Sequence, residues 1–253
     1  MSNPSRPNVA GAVPFDKVAD IGRYSWFFDD FIAGDYALAA DAAGGVGGWI
    51  VKQVAGDSAG TLAVHATAAD LKGHPGVAIL SSGTTTLAAA DEMSLGLQSA
   101  DAFVLYDPSD ALSVSDEHIH VVGIFKFPAV TEVEFNFGLF DDIDAAGRGV
   151  NGISVELDQS ADDQFQLVVV DGSSATAVDT GITAAADTWY RFDIYANEDE
   201  VQLYINDVFA AFTASLNIPD DEPLTIAAKL AIEGTTEKTV LIDAIGFKVP
   251  VDR

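Results

Sequence analysis

From Asp187 onward, polar and apolar residues alternate along the chain. Tyr190, Phe192 and Ile194 fall on one side of an extended segment and Arg191 and Asp193 on the other, the two-residue period of a half-buried strand. A polar corner at Asn197 to Glu200 follows. Val201, Leu203 and Ile205 then alternate with Gln202 and Tyr204, and an Asn206-Asp207 turn leads into Val208 to Phe212, which predicts an antiparallel meander. After a Pro-bracketed loop from Asn217 to Pro223, Leu224 to Ile232 reads as another strand. Thr239 to Val249 reads as the last, with Leu241, Ile245 and Phe247 sharing a face with Asp243.

The same period recurs upstream. An aromatic cluster, Tyr24, Trp26, Phe27, Phe28 and Phe31, opens the first core strand. Trp49 to Val54, Ala63 to Ala66, Val77 to Leu80, Ala102 to Tyr106 and Ile119 to Phe127 are further candidates. In Glu132 to Phe140, residues Val133, Phe135, Phe137 and Leu139 face inward against Glu132, Glu134 and Asn136. Ile153 to Leu157 and Phe165 to Val169 continue the series through turns at Gln159 to Asp163 and at Asp171-Gly172. Nothing calls for a long helix, although Leu87 to Asp91 and Thr183 to Asp187 suit a single turn. The fold class predicted is all-β, a two-sheet antiparallel sandwich over residues 24–253.

Residues 1–23 break the pattern. Pro4, Pro7 and Pro14 interrupt a segment without periodicity, and Arg6, Lys17 and Arg23 make it less acidic than the body. It reads as an irregular arm that orders on a partner, or equally as a frayed terminus without a role. Elsewhere acid dominates: 39 acidic against 12 basic residues leave a net charge of -27. Such a surface repels phosphates and anionic head groups, so neither nucleic acid nor a membrane is an expected partner. No cysteine is present, which excludes disulfides and thiolate chemistry. Met1 to Ala12 lacks the apolar core of a signal peptide, so synthesis in a cytoplasm is expected.

The order Asp187-Thr188-Trp189-Tyr190-Arg191-Phe192, acidic turn, Val201-Gln202-Leu203-Tyr204-Ile205-Asn206-Asp207, Pro loop, long strand, Val240-Leu241-Ile242-Asp243-Ala244-Ile245-Gly246 resembles the closing half of concanavalin A-like jelly rolls, the laminin-G and lectin/glucanase group. The run Lys72 to Thr85, with Asp29, Asp30, Phe31 and Trp49, is similar to the version found in structural proteins of tailed bacteriophages. The resemblance spans residues 26–249. It implies a jelly roll serving as a virion component on the outer capsid surface, made in the host cytoplasm. The role it suggests is a decoration or cement protein that binds the major capsid protein and self-associates, with a trimer as the guess. Arg6, Phe15, Lys17 and Arg23 are then the candidate capsid contacts. The alternative it implies is a glycan-binding head-fibre or tail-fibre module, for which Trp49, Trp189 and Tyr204 are the candidate aromatic platforms.

Catalysis finds little support at this level. A glucanase on this fold carries Glu-x-Asp-x-x-Glu on one strand, and Glu156-Leu157-Asp158-Gln159-Ser160-Ala161 lacks the last carboxylate. Glu132 and Glu134 read as solvated outward residues. The expectation is therefore a protein that is not an enzyme. The glycines from Gly44 to Gly48 lack the lysine of a phosphate loop. His118 and His120 stand at strand spacing, but no third metal ligand is identifiable, so no metal site and no cofactor are expected. Asp141, Asp142 and Asp144, like Asp107 and Asp110, would suit a structural calcium, although solubilising turns are the preferred reading.

Overall fold

The computed structural model describes residues 24–31, 38–39, 49–55, 61–64, 76–82, 92–97, 118–143, 148–158, 163–197, 199–214, 217–219 and 224–250. Every regular element among them is a strand: β1 (Tyr24–Asp29), β2 (Leu38–Ala39), β3 (Trp49–Ala55), β4 (Thr61–Val64), β5 (Ala78–Ser81), β6 (Glu92–Leu97), β7 (Ile119–Phe127), β8 (Val133–Phe140), β9 (Gly152–Asp158), β10 (Gln164–Asp171), β11 (Ser174–Thr183), β12 (Thr188–Ala196), β13 (Val201–Ile205), β14 (Val208–Thr213), β15 (Thr225–Ile232) and β16 (Thr239–Pro250). The arm contacts Arg6, Phe15, Lys17 and Arg23 lie outside the described residues, as does the candidate strand at Ala102 to Tyr106.

The strands form two antiparallel sheets, as the sequence pattern and the jelly-roll resemblance require. One has seven strands in the order β11-β10-β9-β8-β15-β6-β3. The other has nine, running β14-β13-β12-β7-β16-β5-β4-β2, with β1 also paired to β16. Alternation aims one face of each sheet inward. Val133, Phe135, Phe137 and Leu139 of β8 meet Val121, Phe125 and Phe127 of β7 and Tyr190, Phe192 and Ile194 of β12 in a single buried core. Its centre is aromatic. Phe125 and Phe135 lie edge-on at 5.0 Å, as do Phe127 and Phe135, and Phe165 packs on Phe192 at 5.1 Å. Geometries of this kind add about 0.5–1.5 kcal/mol per pair beyond the burial itself.

Two features depart from the sequence reading. In β16 the register against β7 shifts between Ile242 and Ala244, a bulge that turns the strand over at Asp243. Val240 and Ile242 therefore join Ile245 and Phe247 in the main core, whereas Leu241 packs outside with Val77. The expected common face for Leu241 and Ile245 does not exist. Strands β6 and β11 also went unread. In β6, Met93, Leu95 and Leu97 alternate into the core, while β11 is an edge strand with residues exposed or half-buried throughout.

Candidate functional site

The outer face of the seven-stranded sheet is polar in the middle and small-sided at one end. Cross-strand register lines up Lys52, Ser94, Lys229, Asn136, Glu156, Gln166 and Asp179 as one row across all seven strands. Parallel to it, Glu92, Ala231, Glu134 and Asp158 form a second row. On the other side run Ile50, Gly96, Ala227, Gly138 and Ser154.

A segment after β8 folds back over this face. Ile143 packs with Phe140 and Ala227. It sits so close to Gly96 that a Cβ there would meet Ile143 Cγ2 at 2.7 Å. Lys229 Nζ donates to the carbonyl of Asp142 at 3.1 Å and lies over the Phe140 ring. Further along, Arg148 clamps Glu156 through Nε and Nη2 at 2.5 and 2.6 Å. The pair is held firmly because its two parallel bonds are charge-assisted. The guanidinium is in turn pushed further towards its charged form, chiefly by that hydrogen bond.

Coverage explains why Glu156 is 2% exposed on a face turned away from the core. It also raises Glu134 from its ordinary 4.5 to about 7. Burial is the largest cause, followed by the negative charges of Glu156, Glu92 and Asp158, with the Asn136 amide pulling weakly the other way. Ser94 Oγ and Asn136 Oδ1 are buried in the row without a hydrogen-bond partner among the described residues. The face thus sets one acid whose pKa burial raises to about 7 among three further acidic residues. A raised carboxyl of this kind is suited to donate a proton in acid/base chemistry.

Reading Glu132 and Glu134 together as solvated outward residues is therefore corrected. Glu132 sits in the turn before β8 with φ 56° and pairs with Lys238 at 3.2 Å, whereas Glu134 is half-buried among acids. The signal available in the sequence was Lys229, a lone charge in the otherwise apolar Thr225 to Ile232. Its row could only be assembled once register was known.

The predicted aromatic platforms are scattered. Trp49 is fully buried, packed on Phe31 and donating its indole N–H to Asp29 at 2.8 Å, so it offers no surface to a glycan. Trp189 and Tyr204 share the outer face of the nine-stranded sheet. Tyr204 lies opposite Asp193, four residues along β12 from Trp189, which is about 13 Å of strand. Trp189 instead packs against Val77 and Leu241.

His118 and His120 do not converge on an ion. His118 contacts Glu200 at 3.1 Å, whereas His120 contacts Asp193 at 2.8 Å and stacks on Tyr195. Asp141 is occupied by the backbone and side-chain amides of Asn151. Among the described residues no group of three or more His, Asp or Glu could hold a metal.

No protein-family model and no curated protein matches the chain. Solved structures do match. A glycoside hydrolase family 16 protein from Mycobacterium smegmatis is similar with a TM-score of 0.55 and 11% identity, over 87% of this chain and 98% of that one. The family 16 endo-glucanase of Bacteroides ovatus gives 0.54 and 13% over 87% and 99%. The CBM2 module of the evolved Dit of Lactobacillus casei BL23 phage J-1 gives 0.50 and 12% over 91% and 98%.

These neighbours overturn the expectation that the chain is not an enzyme, since glycoside hydrolases recur among the structures it resembles. Next to the Glu156-Leu157-Asp158 strand, Glu134 of β8 is the cross-strand partner of Asp158. Identities this low establish architecture alone: the chain is an all-β, concanavalin A-like jelly-roll sandwich.

Proposed function

We propose that this protein cleaves a polysaccharide on the outer face of its seven-stranded sheet as a retaining glycoside hydrolase. The observation that carries the reading is the pairing of Glu134, protonated up to about pH 7, with Asp158 directly across the β8–β9 ladder. Directly opposed residues hold their Cβ atoms about 4.5–5.5 Å apart. That suits the carboxyl separation of about 5–5.5 Å used in retention, not the wider gap that admits a water. Glu134 gives its proton to the glycosidic oxygen as the bond to the anomeric carbon breaks, and the leaving sugar departs as an alcohol. Asp158 forms the ester to that carbon. A water then gives its proton to Glu134 and its oxygen to the sugar, which frees Asp158. Glu156, neutralised and fixed by Arg148, shapes the field without reacting.

The test is hydrolysis of neutral β-glucans by the full chain, read as reducing ends released. Glu134→Gln and Asp158→Asn are each expected to lose at least about 100-fold in kcat/KM. A wild-type chain inert on such polymers overturns the reading, and activity that survives both substitutions overturns the residue assignment.

A second reading concerns where the chain works. Likeness to a phage module and the similarity of Lys72 to Thr85 to tailed-phage structural proteins support a place on a virion. In this reading residues 1–23 bind the major capsid protein and copies self-associate as capsid decoration, or the chain serves as a head-fibre or tail-fibre module that holds host glycan. Copy number in purified particles, measured by mass spectrometry against the major capsid protein, separates the two placements, and absence from particles excludes both.

A further inference from the structure

The nine-stranded sheet carries a groove of about 470 Å³ on its outer face, lined by residues of β12, β13 and the segments beside them. Its floor is a polar network. Asp193, 3% exposed, accepts from Arg191 Nη2 at 2.7 Å and contacts His120 at 2.8 Å, while Arg191 Nη1 reaches Asp207 at 3.0 Å. Asp193 Oδ2 and Arg191 Nε are nonetheless buried without partners among the described residues. A buried carboxylate oxygen and a buried guanidinium N–H without partners, on two residues that line one groove, leave an acceptor and a donor unsatisfied there.

The wall is aromatic. His120 stacks on Tyr195 at 4.2 Å, Tyr195 meets Tyr204 edge-on at 5.6 Å, and Tyr204 meets Phe209 edge-on at 5.7 Å. On the neighbouring β14, Phe209 and Phe212, 55% and 43% exposed, stand opposite Tyr204 and Gln202. Gln202 adds an amide that bridges Glu200 and the Tyr204 hydroxyl.

Charge narrows the ligand. Arg191 is already matched by Asp193 and Asp207, so no net positive field remains to hold a phosphate, sulfate or carboxylate. An apolar ligand would offer nothing to the unsatisfied donor and acceptor and would cover the Gln202 amide and the Tyr204 hydroxyl. A pyranose chain satisfies both constraints, because its C–H faces lie on aromatic rings and its hydroxyls donate and accept.

We propose that this groove is a second, non-catalytic saccharide site, on the sheet opposite the carboxylate rows, which holds a neutral glycan through Tyr204, Gln202, Arg191 and Asp193. The site stands on its own geometry; only the choice of β-glucan as the glycan class rests on the reading above.

Affinity electrophoresis of the full chain through gels containing laminarin, lichenan or hydroxyethyl cellulose tests it. Retardation by at least one polymer is expected for the wild-type chain and, undiminished, for Asp158→Asn. Tyr204→Ala and Gln202→Ala should each weaken it about tenfold, with unchanged melting temperatures, and Tyr204→Phe should keep most of it. Retardation that Tyr204→Ala and Gln202→Ala both leave unchanged overturns the site, and so does a wild-type chain that none of the three polymers retards. If Asp158→Asn abolishes hydrolysis and keeps retardation while the groove variants lose retardation, the two faces are independent; retardation that the groove variants lose, without any hydrolysis by the wild type, leaves the groove and removes only the catalytic reading.

Discussion

Glu134 and Asp158 face one another across adjacent strands, so the acid that keeps its proton and the acid beside it are set by register and not by one strand's motif. Each has a measurable consequence, as do the residues that hold the face in place.

Glu134 should make stability fall with pH. Its group titrates near the ordinary 4.5 when the chain is unfolded and at about 7 when folded. Between those values the folded chain keeps a proton that the unfolded chain has released, so folding loses ground as pH rises through the window. Glu134→Gln removes the effect. The variant should melt above the wild type at about pH 8 and together with it at about pH 4, as followed by circular dichroism.

Arg148→Ala should destabilise the fold even though the arginine lies at the surface. It leaves Glu156, 2% exposed, as a buried charge without its clamp. The expected loss is about 2–3 kcal/mol, below the range for wholly buried pairs because the Arg148 side chain is 38% exposed. The double variant with Glu156→Gln should recover much of it, and urea unfolding of the three variants measures the coupling.

Gly123 is the point in β7 where the aromatic core tolerates no side chain. A Cβ there would lie 2.3 Å from Phe125 Cε2 and 2.6 Å from Phe137 Cζ. Gly123→Ala should cost about 1–3 kcal/mol through displaced rings. Trimming the obstacle with Phe137→Leu in the same chain should make the alanine less costly than it is alone, again by urea unfolding.

Lys229 fixes the segment that covers the carboxylate face. Lys229→Met keeps the bulk but removes the donor to the Asp142 carbonyl. Amide hydrogen exchange should then speed up over residues 141–143 while the core of β8 and β15 stays protected.

The inward halves of the strands were legible because burial imposes a period of two, and Tyr190, Phe192 and Ile194 or Val133, Phe135 and Phe137 display it without competition. The bulge at Asp243 was not, because it inserts one residue without altering composition. The site was hidden for a related reason. Its members come from separate strands, each contributing one or two polar residues that look solvated locally. Glu134 reads as a surface glutamate until β9 and β15 are placed beside it and the segment carrying Arg148 is folded over the top. Trp49 misled in the opposite sense: an aromatic residue after a glycine run looks available, yet its indole finds Asp29 and the core.

The last long strand has a consequence for how the molecule is made. β16 lies between β7 on one side and both β5 and β1 on the other, with Tyr24 opposite Pro250. A nascent chain that has not yet released residues 239–250 from the ribosome holds the nine-stranded sheet as three separate pieces, β14-β13-β12-β7, β5-β4-β2 and the lone β1. Closure must therefore wait for residues 239–250 to be synthesised, and β1 and β16, far apart along the chain, then meet as neighbours.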